Sequence, residues 1–334
     1  MKEYLLSGAS GRFTAFMYVW VYSGFAFYFG PELVIFTAGE MRNPQKNLPI
    51  AARRFFYRLV TFYVLGALAI GIICRSNAEG LVSGAGNANA SPWVIAIKNA
   101  GISGLDSVIN AGILISAWSS GNSYLFMSSR SIYSLAVAGN APKIFARCNR
   151  HGLPIYAVIA GALFMPLSYL SCGGQAGVVF NWFISLTNTA GFTSWILCCI
   201  VLLRFRKACV FQGVQVPYRS KLQPWAAPIC ISFFAFLMLM NGFTVFYPGN
   251  FTASGFLTAY LGIPLYLSLY FGHKALRGRN DAWLIPAADV DLLTGLQEME
   301  ADTQLWEAME RQKAEKQGHA TRSKWWNKIS AIWG

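Results

Sequence analysis

Residues 23–40 read S-G-F-A-F-Y-F-G-P-E-L-V-I-F-T-A-G-E, an aromatic and apolar run interrupted by Gly30, Pro31 and Glu32. Proline removes a backbone donor and crowds the preceding turn of a helix, and a glycine beside it lowers helix propensity further. On those two residues alone, a proline kink explains the pattern as well as a break does. Glu32 weighs towards a break, because a carboxylate inside an apolar span is by default a functional-site candidate. A broken helix also frees carbonyl and amide groups, which a membrane tolerates only where they line a cavity. Transporters use such discontinuous helices to hold substrates and coupling ions. A second cluster lies downstream: Ser116, Ser119, Ser120, Asn122 and Ser123. Its four serines recur at three- and four-residue spacing, which places them on one helix face. Small hydroxyl residues there either hydrogen-bond a neighbouring helix or line a permeation path, and both readings stay open. In the second, Ser116 and Ser120 are candidate substrate contacts. Asp106, near the start of the same run, reads as an interfacial cap, with a coupling role as the alternative.

Nothing in the chain points to enzyme catalysis. H-E-x-x-H, G-x-x-x-x-G-K-[ST] and G-x-S-x-G are all missing from the sequence. The three histidines, His151, His273 and His319, fall in loops or in the tail. Seven cysteines are scattered without C-x-x-C spacing, several inside apolar runs. They read as small buried hydrophobes rather than as metal ligands or a disulfide framework.

The elements that must position these residues follow from composition. Of 334 residues, 55% are hydrophobic and 12% are charged, with a mean hydropathy of +0.41; a soluble domain carries roughly 25% charged residues. Acidic and basic side chains are wholly missing between His151 and Arg204 and again between Lys221 and His273. Each gap accommodates two membrane helices of roughly 20 residues. The fold class is therefore an all-α polytopic membrane protein in contact with the lipid bilayer. Seven transmembrane helices are expected, at about 13–37, 55–74, 105–129, 153–171, 179–203, 224–247 and 253–273. Residues 274–334 form a tail. The net charge of +13 does not signal nucleic acid, because the tail is neutral and the excess sits mostly in loops between spans, where basic residues fix topology. The connections after the first, third and fifth spans hold the basic clusters Arg42–Arg58, Arg130–Arg150 and Arg204–Lys221. Positive-inside then makes those loops and the C-terminal tail cytosolic, with the N-terminus outside. The sequons Asn89-Ala90-Ser91 and Asn250-Phe251-Thr252 fall on the expected outer side. In the tail, Leu292, Leu293, Leu296, Met299, Leu305 and Met309 suggest an amphipathic helix, and the closing S-K-W-W-N-K-I-S-A-I-W-G either lies on the membrane surface or is disordered.

Seven spans with an outer N-terminus fit a seven-helix receptor or the back part of a longer transporter. The receptor reading lacks both an Asp/Glu-Arg-Tyr after the third span and an N-P-x-x-Y in the seventh. The transporter reading has motifs. Tyr28-Phe29-Gly30-Pro31-Glu32-Leu33-Val34, then Ala38-Gly39-Glu40 and Asn43-Pro44-Gln45-Lys46-Asn47-Leu48-Pro49, resemble the sixth helix and following loop of the fungal amino acid permeases, within the amino acid–polyamine–organocation superfamily. The pattern there is F-x-G-T-E-L-V, A-x-E and N-P-x-K-x-[LI]-P, so Tyr28 and Pro31 depart from it. The resemblance continues through Ser91-Pro92-Trp93-Val94, Ser128-Ser129-Arg130 and Gly139-Asn140-Ala141-Pro142-Lys143. Phe180-Asn181-Trp182, Trp195, Arg204-Phe205-Arg206 and Pro217-Tyr218-Arg219 carry it on. Gln223-Pro224-Trp225, Gly242-Phe243-Thr244-Val245-Phe246 and Asp289-Val290-Asp291-Leu292 complete it.

The resemblance implies the second half of a LeuT-type fold of two inverted five-helix repeats plus two further helices, with this chain starting at the sixth. It implies proton-coupled amino acid uptake at the plasma membrane by the full-length parent, with the proton as coupling ion and no other cofactor. Phe27, Tyr28, Phe29, Gly30, Pro31 and Glu32 would then lie against the substrate, the break around Gly30 binding its α-amino group and Glu32 acting as gate or coupling carboxylate. On this reading the chain is N-terminally truncated and is expected to be inactive alone. A non-transporting membrane fragment or interaction partner is the alternative. The amino acid transported and the oligomeric state stay open.

Overall fold

The computed structural model describes residues 5–24, 30–78, 81, 91–102, 104–172, 176–215, 220, 222–276 and 282–317, and every regular element among them is helical. The opening run is two helices, α1 (Gly8–Ser23) and α2 (Gly30–Phe36); Phe27, Tyr28 and Phe29, between them, lie outside the described residues. Pro31 falls in the first turn of α2, where no backbone donor is needed and a fixed φ suits a helix start. Glu32 shares that turn, where a carboxylate faces the positive end of the helix dipole. The residues that disfavour one continuous helix are thus well suited to begin a second. α2 closes with the Thr37 hydroxyl donating to the Leu33 and Val34 carbonyls (3.1 and 3.0 Å).

α3 (Pro44–Ile73) starts well before the span expected at 55, since Pro44 occupies its first turn and Asn43 ahead of it takes φ 45°. α4 (Pro92–Asn99) and α5 (Leu105–Val137) follow. α5 runs beyond the expected 129 and stops where Gly139 turns at φ 78°. There the Asn140 and Gly139 amides bond the Leu135 and Ala136 carbonyls (2.8 and 3.1 Å), the pairing that satisfies a helix C-terminus. α6 (Ile155–Ala162) gives way to a 3-10 segment, Met165–Cys172. α7 (Ala176–Gln212) is the longest element at 37 residues. α8 (Ala226–Met240) ends in the 3-10 turn Phe243–Phe246. α9 (Ala253–Tyr260) and α10 (Gly262–Leu276) are bent by 48° at their junction, and α11 (Leu296–Gln317) lies in the tail.

Among the described residues, Pro44–Ile73 and Gly177–Gln212 are each long and apolar enough to cross a membrane, and the bent pair makes a third if it is one span. α5 has the length, but its serines and asparagines dilute its hydropathy. The outer surface is strongly apolar: Phe62, Leu68 and Ile72 of α3 are 70%, 60% and 75% exposed. Such a surface is an association hazard in water and an ordinary one in a bilayer.

α7 is the hub, packing most extensively on α8 and also against α9 and α10. An apolar core of Val21 (α1), Phe192 (α7) and Leu237 (α8) joins three elements, with Trp195, Phe234 and Met238 packed around it. Beside it sits a buried polar knot. Asn241 donates to the Ser185 carbonyl (2.9 Å) and to Thr189 Oγ1 (3.0 Å), and accepts from Asn188 Nδ2 (3.2 Å). Thr189 in turn donates to the Ala259 carbonyl at 2.7 Å. Buried polar groups without partners are costly, and here they stitch α7 to α9 and the end of α8.

The far end of α7 holds the tail. Gln212 Nε2 donates to the carbonyls of Ala287, Ala288 and Val290 (2.9, 3.2 and 2.8 Å), and Arg204 bonds the Ile285 carbonyl. Asp291 then accepts from the Leu293 and Thr294 amides (3.0 and 2.9 Å), forming the turn that leads to α11. Arg42, before α3, sits 5.5 Å from the Trp306 ring of α11. The expected apolar stripe of that helix stays exposed at Met299, Leu305 and Met309. Residues 318–334, with the Trp-rich end, lie outside the described residues.

Candidate functional site

Two cavities flank the start of α2, and together they take in Gly30, Glu32 and the four serines of the α5 stripe. The first, about 490 Å³, is bounded by Gly30 and Leu33 of α2 and by Ser116, Ser119, Ser120 and Ser123 of α5. The helical spacing of the serines is what aims them to one side, and α2 packs across that side. Gly30 leaves room there for a neighbour: a Cβ on it would stand 2.6 Å from the tip of the Phe55 ring of α3, which would have to shift. Of the serines, Ser123 bonds back to the Ser119 carbonyl at 3.0 Å, and Ser120 pairs with the Tyr124 hydroxyl. Both bonds stay within α5, and Ser116, Ser119 and Ser120 are exposed to the cavity side.

The second cavity, about 710 Å³, is bounded by Glu32, Phe36, Tyr124, Ser128, Ser131 and Ser194, among others. Glu32 is half-buried. Its Oε1 accepts a hydrogen bond from Trp195 Nε1 of α7, while its buried Oε2 meets no hydrogen-bond partner among the described residues. One carboxylate oxygen is thus anchored and the other is left for a proton or a cationic group. A buried, half-satisfied carboxylate deserves an explanation in terms of function or of a missing partner. Tyr124 and Met127 line both cavities, so they form the partition between the serine side and the carboxylate side. Tyr124 also lies within electrostatic reach of Glu32 and of Tyr63.

The structure therefore brings Gly30, Ser116 and Ser120 together at one cavity and puts Glu32 at its neighbour. Pro31 is exposed and lines neither. Asp106 also lines neither cavity. Trp195, Tyr124 and Ser194 were not legible as site residues. Trp195 is 163 positions from Glu32, and its only signal is an indole N–H that needs an acceptor when buried.

A family model described as amino acid permease matches residues 1–285. The chain is 45% identical over 305 residues to a proline-specific permease of Emericella nidulans, covering 90% of this chain and 55% of that one. It is 46% identical over 313 residues to a probable proline-specific permease of Schizosaccharomyces pombe, covering 92% and 56%. A proline-specific permease of Saccharomyces cerevisiae is 38% identical over 313 residues, covering 92% and 50%. The chain spans about half the length of these curated relatives. No solved structure matches it.

Proposed function

The chain belongs to the amino acid permease family, and from that premise we propose that it supplies the cation-binding half and the coupling carboxylate of a proton-coupled amino acid symporter. The substrate class is proline or a closely similar amino acid, by analogy with the relatives named proline-specific. The half-satisfied Glu32 carboxylate, held by Trp195 on one oxygen and with its buried second oxygen unpartnered among the described residues, carries the proposal.

In this reading the substrate ammonium sits at the broken start of α2, near Gly30, with Ser116 and Ser120 of α5 on the opposite wall. At such a break the freed carbonyls are those that end the preceding helix, and they are the groups that suit a cation. Glu32 exchanges the coupling proton at Oε2, because Oε1 is already committed to the indole N–H. Tyr124 separates the two events while touching both, so that occupancy of one cavity is felt in the other. The full transporter takes its carboxylate-binding wall from helices that precede these in the LeuT-type inverted repeat. Its seven spans here run from an outer N-terminus to a cytosolic tail, as the basic loops favour, in the plasma membrane.

The test is a chimaera. The matching half of the Emericella nidulans permease is replaced by this chain, and radiolabelled proline uptake is measured against external pH in fungal cells lacking their own proline uptake. We expect saturable uptake that rises in acid, and Glu32→Gln to abolish the pH dependence. A surface-expressed Glu32→Gln chimaera with unchanged uptake and unchanged pH profile would overturn the assignment.

A further inference from the structure

Below the polar end of the α7 apolar run lies a groove that the transport reading does not use. It has a volume of about 610 Å³. Leu203, Val210, Val214 and Pro224 give it apolar walls, Arg206 and Lys207 line it with positive charge, and among the described residues no acidic side chain lines it. Residues 203, 206, 207 and 210 recur at three- and four-residue spacing, so they share one face of α7. Arg204 and Gln212, which hold the tail, fall on the other side of the same helix. Unlike Arg204, neither Arg206 nor Lys207 has a hydrogen bond or an ion pair with any described residue. Around the groove, Val210, Phe211, Leu222 and Trp225 are 84%, 69%, 75% and 74% exposed. Exposed apolar side chains next to unpaired cations, with a tryptophan among them, describe the level where hydrocarbon gives way to headgroups.

We propose that this groove is a binding site for an anionic phospholipid, its phosphate and acidic headgroup on Arg206 and Lys207 and an acyl chain along Leu203 and Pro224. Charge selects the headgroup class, and the apolar walls select a lipid over a soluble anion, which would leave them wet. The facing leaflet is the cytosolic one if the orientation proposed above holds. That leaflet is the one rich in anionic lipid, where each basic residue near the surface strengthens attraction. The lipid site itself does not depend on transport, so its test needs no uptake.

The 334-residue chain is purified in detergent and titrated with phosphatidylserine or phosphatidylcholine, and retained lipid is read by native mass spectrometry. One phosphatidylserine is expected to be retained in preference to phosphatidylcholine, and less so at high salt. The R206Q/K207Q variant is expected to lose roughly 30-fold in that preference, two surface cations' worth. The R206K/K207R variant keeps both charges and is expected to retain it, which separates loss of the site from loss of folding. R53Q/R54Q removes the same charge from the exposed start of α3 and is expected to leave the preferred lipid in place. Equal retention by R206Q/K207Q, or an equal loss from R53Q/R54Q, would overturn the site. Full competition by soluble glycerophosphoserine would overturn the lipid and make the groove a soluble-anion site.

Discussion

Replacing Trp195 with phenylalanine removes its N–H donor and part of its ring area while keeping an aromatic side chain. The ring stays among Phe192 and Phe234, whose centroids lie 6.4 and 4.9 Å from that of Trp195. What goes is the bond to Glu32 Oε1, and since Oε2 has no partner among the described residues, the carboxylate is left with no described donor. Hydrogen bonds to charged groups contribute about 1.5–3 kcal/mol in soluble proteins. Interhelical bonds measured by double-mutant cycles inside membranes average about 0.6 and reach about 1.7 kcal/mol. A charged, partly buried acceptor belongs at the upper end of the membrane range, so we expect a coupling of about 1–1.7 kcal/mol. The assay is a cycle of Trp195→Phe, Glu32→Leu and the double variant, each unfolded by detergent titration of the purified chain. Loss of indole area enters both Trp195→Phe legs and cancels. Trp195→Phe should cost clearly more beside Glu32 than beside Leu at that position. If the two costs agree within about 0.3 kcal/mol, the indole does not hold the carboxylate, and the division of labour between its two oxygens falls with it.

Three further outcomes are expected. Gly242→Ala puts a Cβ 2.5 Å from the Tyr260 ring and 2.7 Å from Ala259, with Tyr260 tied to the Leu239 carbonyl at 2.8 Å. It should destabilise by about 1–3 kcal/mol, whereas Gly66→Ala on α3, with open space around it, should not destabilise; equal melting temperatures for the two would refute the packing account. Gln212→Ala removes two N–H donors shared by three tail carbonyls and should speed limited proteolysis of residues 282–291 about tenfold; an unchanged rate would mean that other contacts hold the strap. Asp291 is held below the usual carboxylate range, first by its side-chain bond with Thr294 and then by the Thr294 and Leu293 amides. A lowered value in the folded tail means that the turn is fully stabilised above about pH 4, the unfolded range, and loses that support as pH falls through the folded value. Hydrogen-exchange protection of the Thr294 amide, corrected for intrinsic rate, should therefore drop in acid and be flat with pH in Asp291→Asn; a parallel drop in both would remove Asp291 as the cause.

The helices were legible because their signals are local. The long apolar runs separated by Gly/Pro/Ser/Asn clusters located α3, α5 and α7, and the breaker pair at 30–31 located the start of α2. What could not be read was how far helices continue once the apolar run stops. α7 keeps its form through Arg204, Arg206 and Lys207 to Gln212 because those residues are good helix formers and no breaker precedes Gly213. The bend between α9 and α10 has a local mark in Pro264, which withholds an amide from the Tyr260 carbonyl and crowds it; what the sequence hides is why Gly262 is small, namely that Thr189 of α7 lies against it, 2.7 Å from where a Cβ would be. In the candidate site, Gly30, Glu32 and the serine stripe announced themselves through unusual residue types in apolar surroundings. Trp195 and Tyr124 did not, since an aromatic residue in a membrane span carries no mark of its partner. The pairing of Trp195 with Glu32 exists only once α7 is folded against α2.

α7 has neither proline nor interruption between Trp195 and Gln212, and at about 1.5 Å per residue these lie roughly 25 Å apart. Such a segment behaves as a lever with the indole near one end and the glutamine at the other. Tilting it by about 10° around the indole would sweep the glutamine through some 4 Å by that same geometry, more than its bonds to the three tail carbonyls can stretch. The strap must then either travel with the rod or let go of it. The tail is in that sense a pointer fixed to the same shaft as the donor that holds Glu32, and its position reports the angle of that shaft.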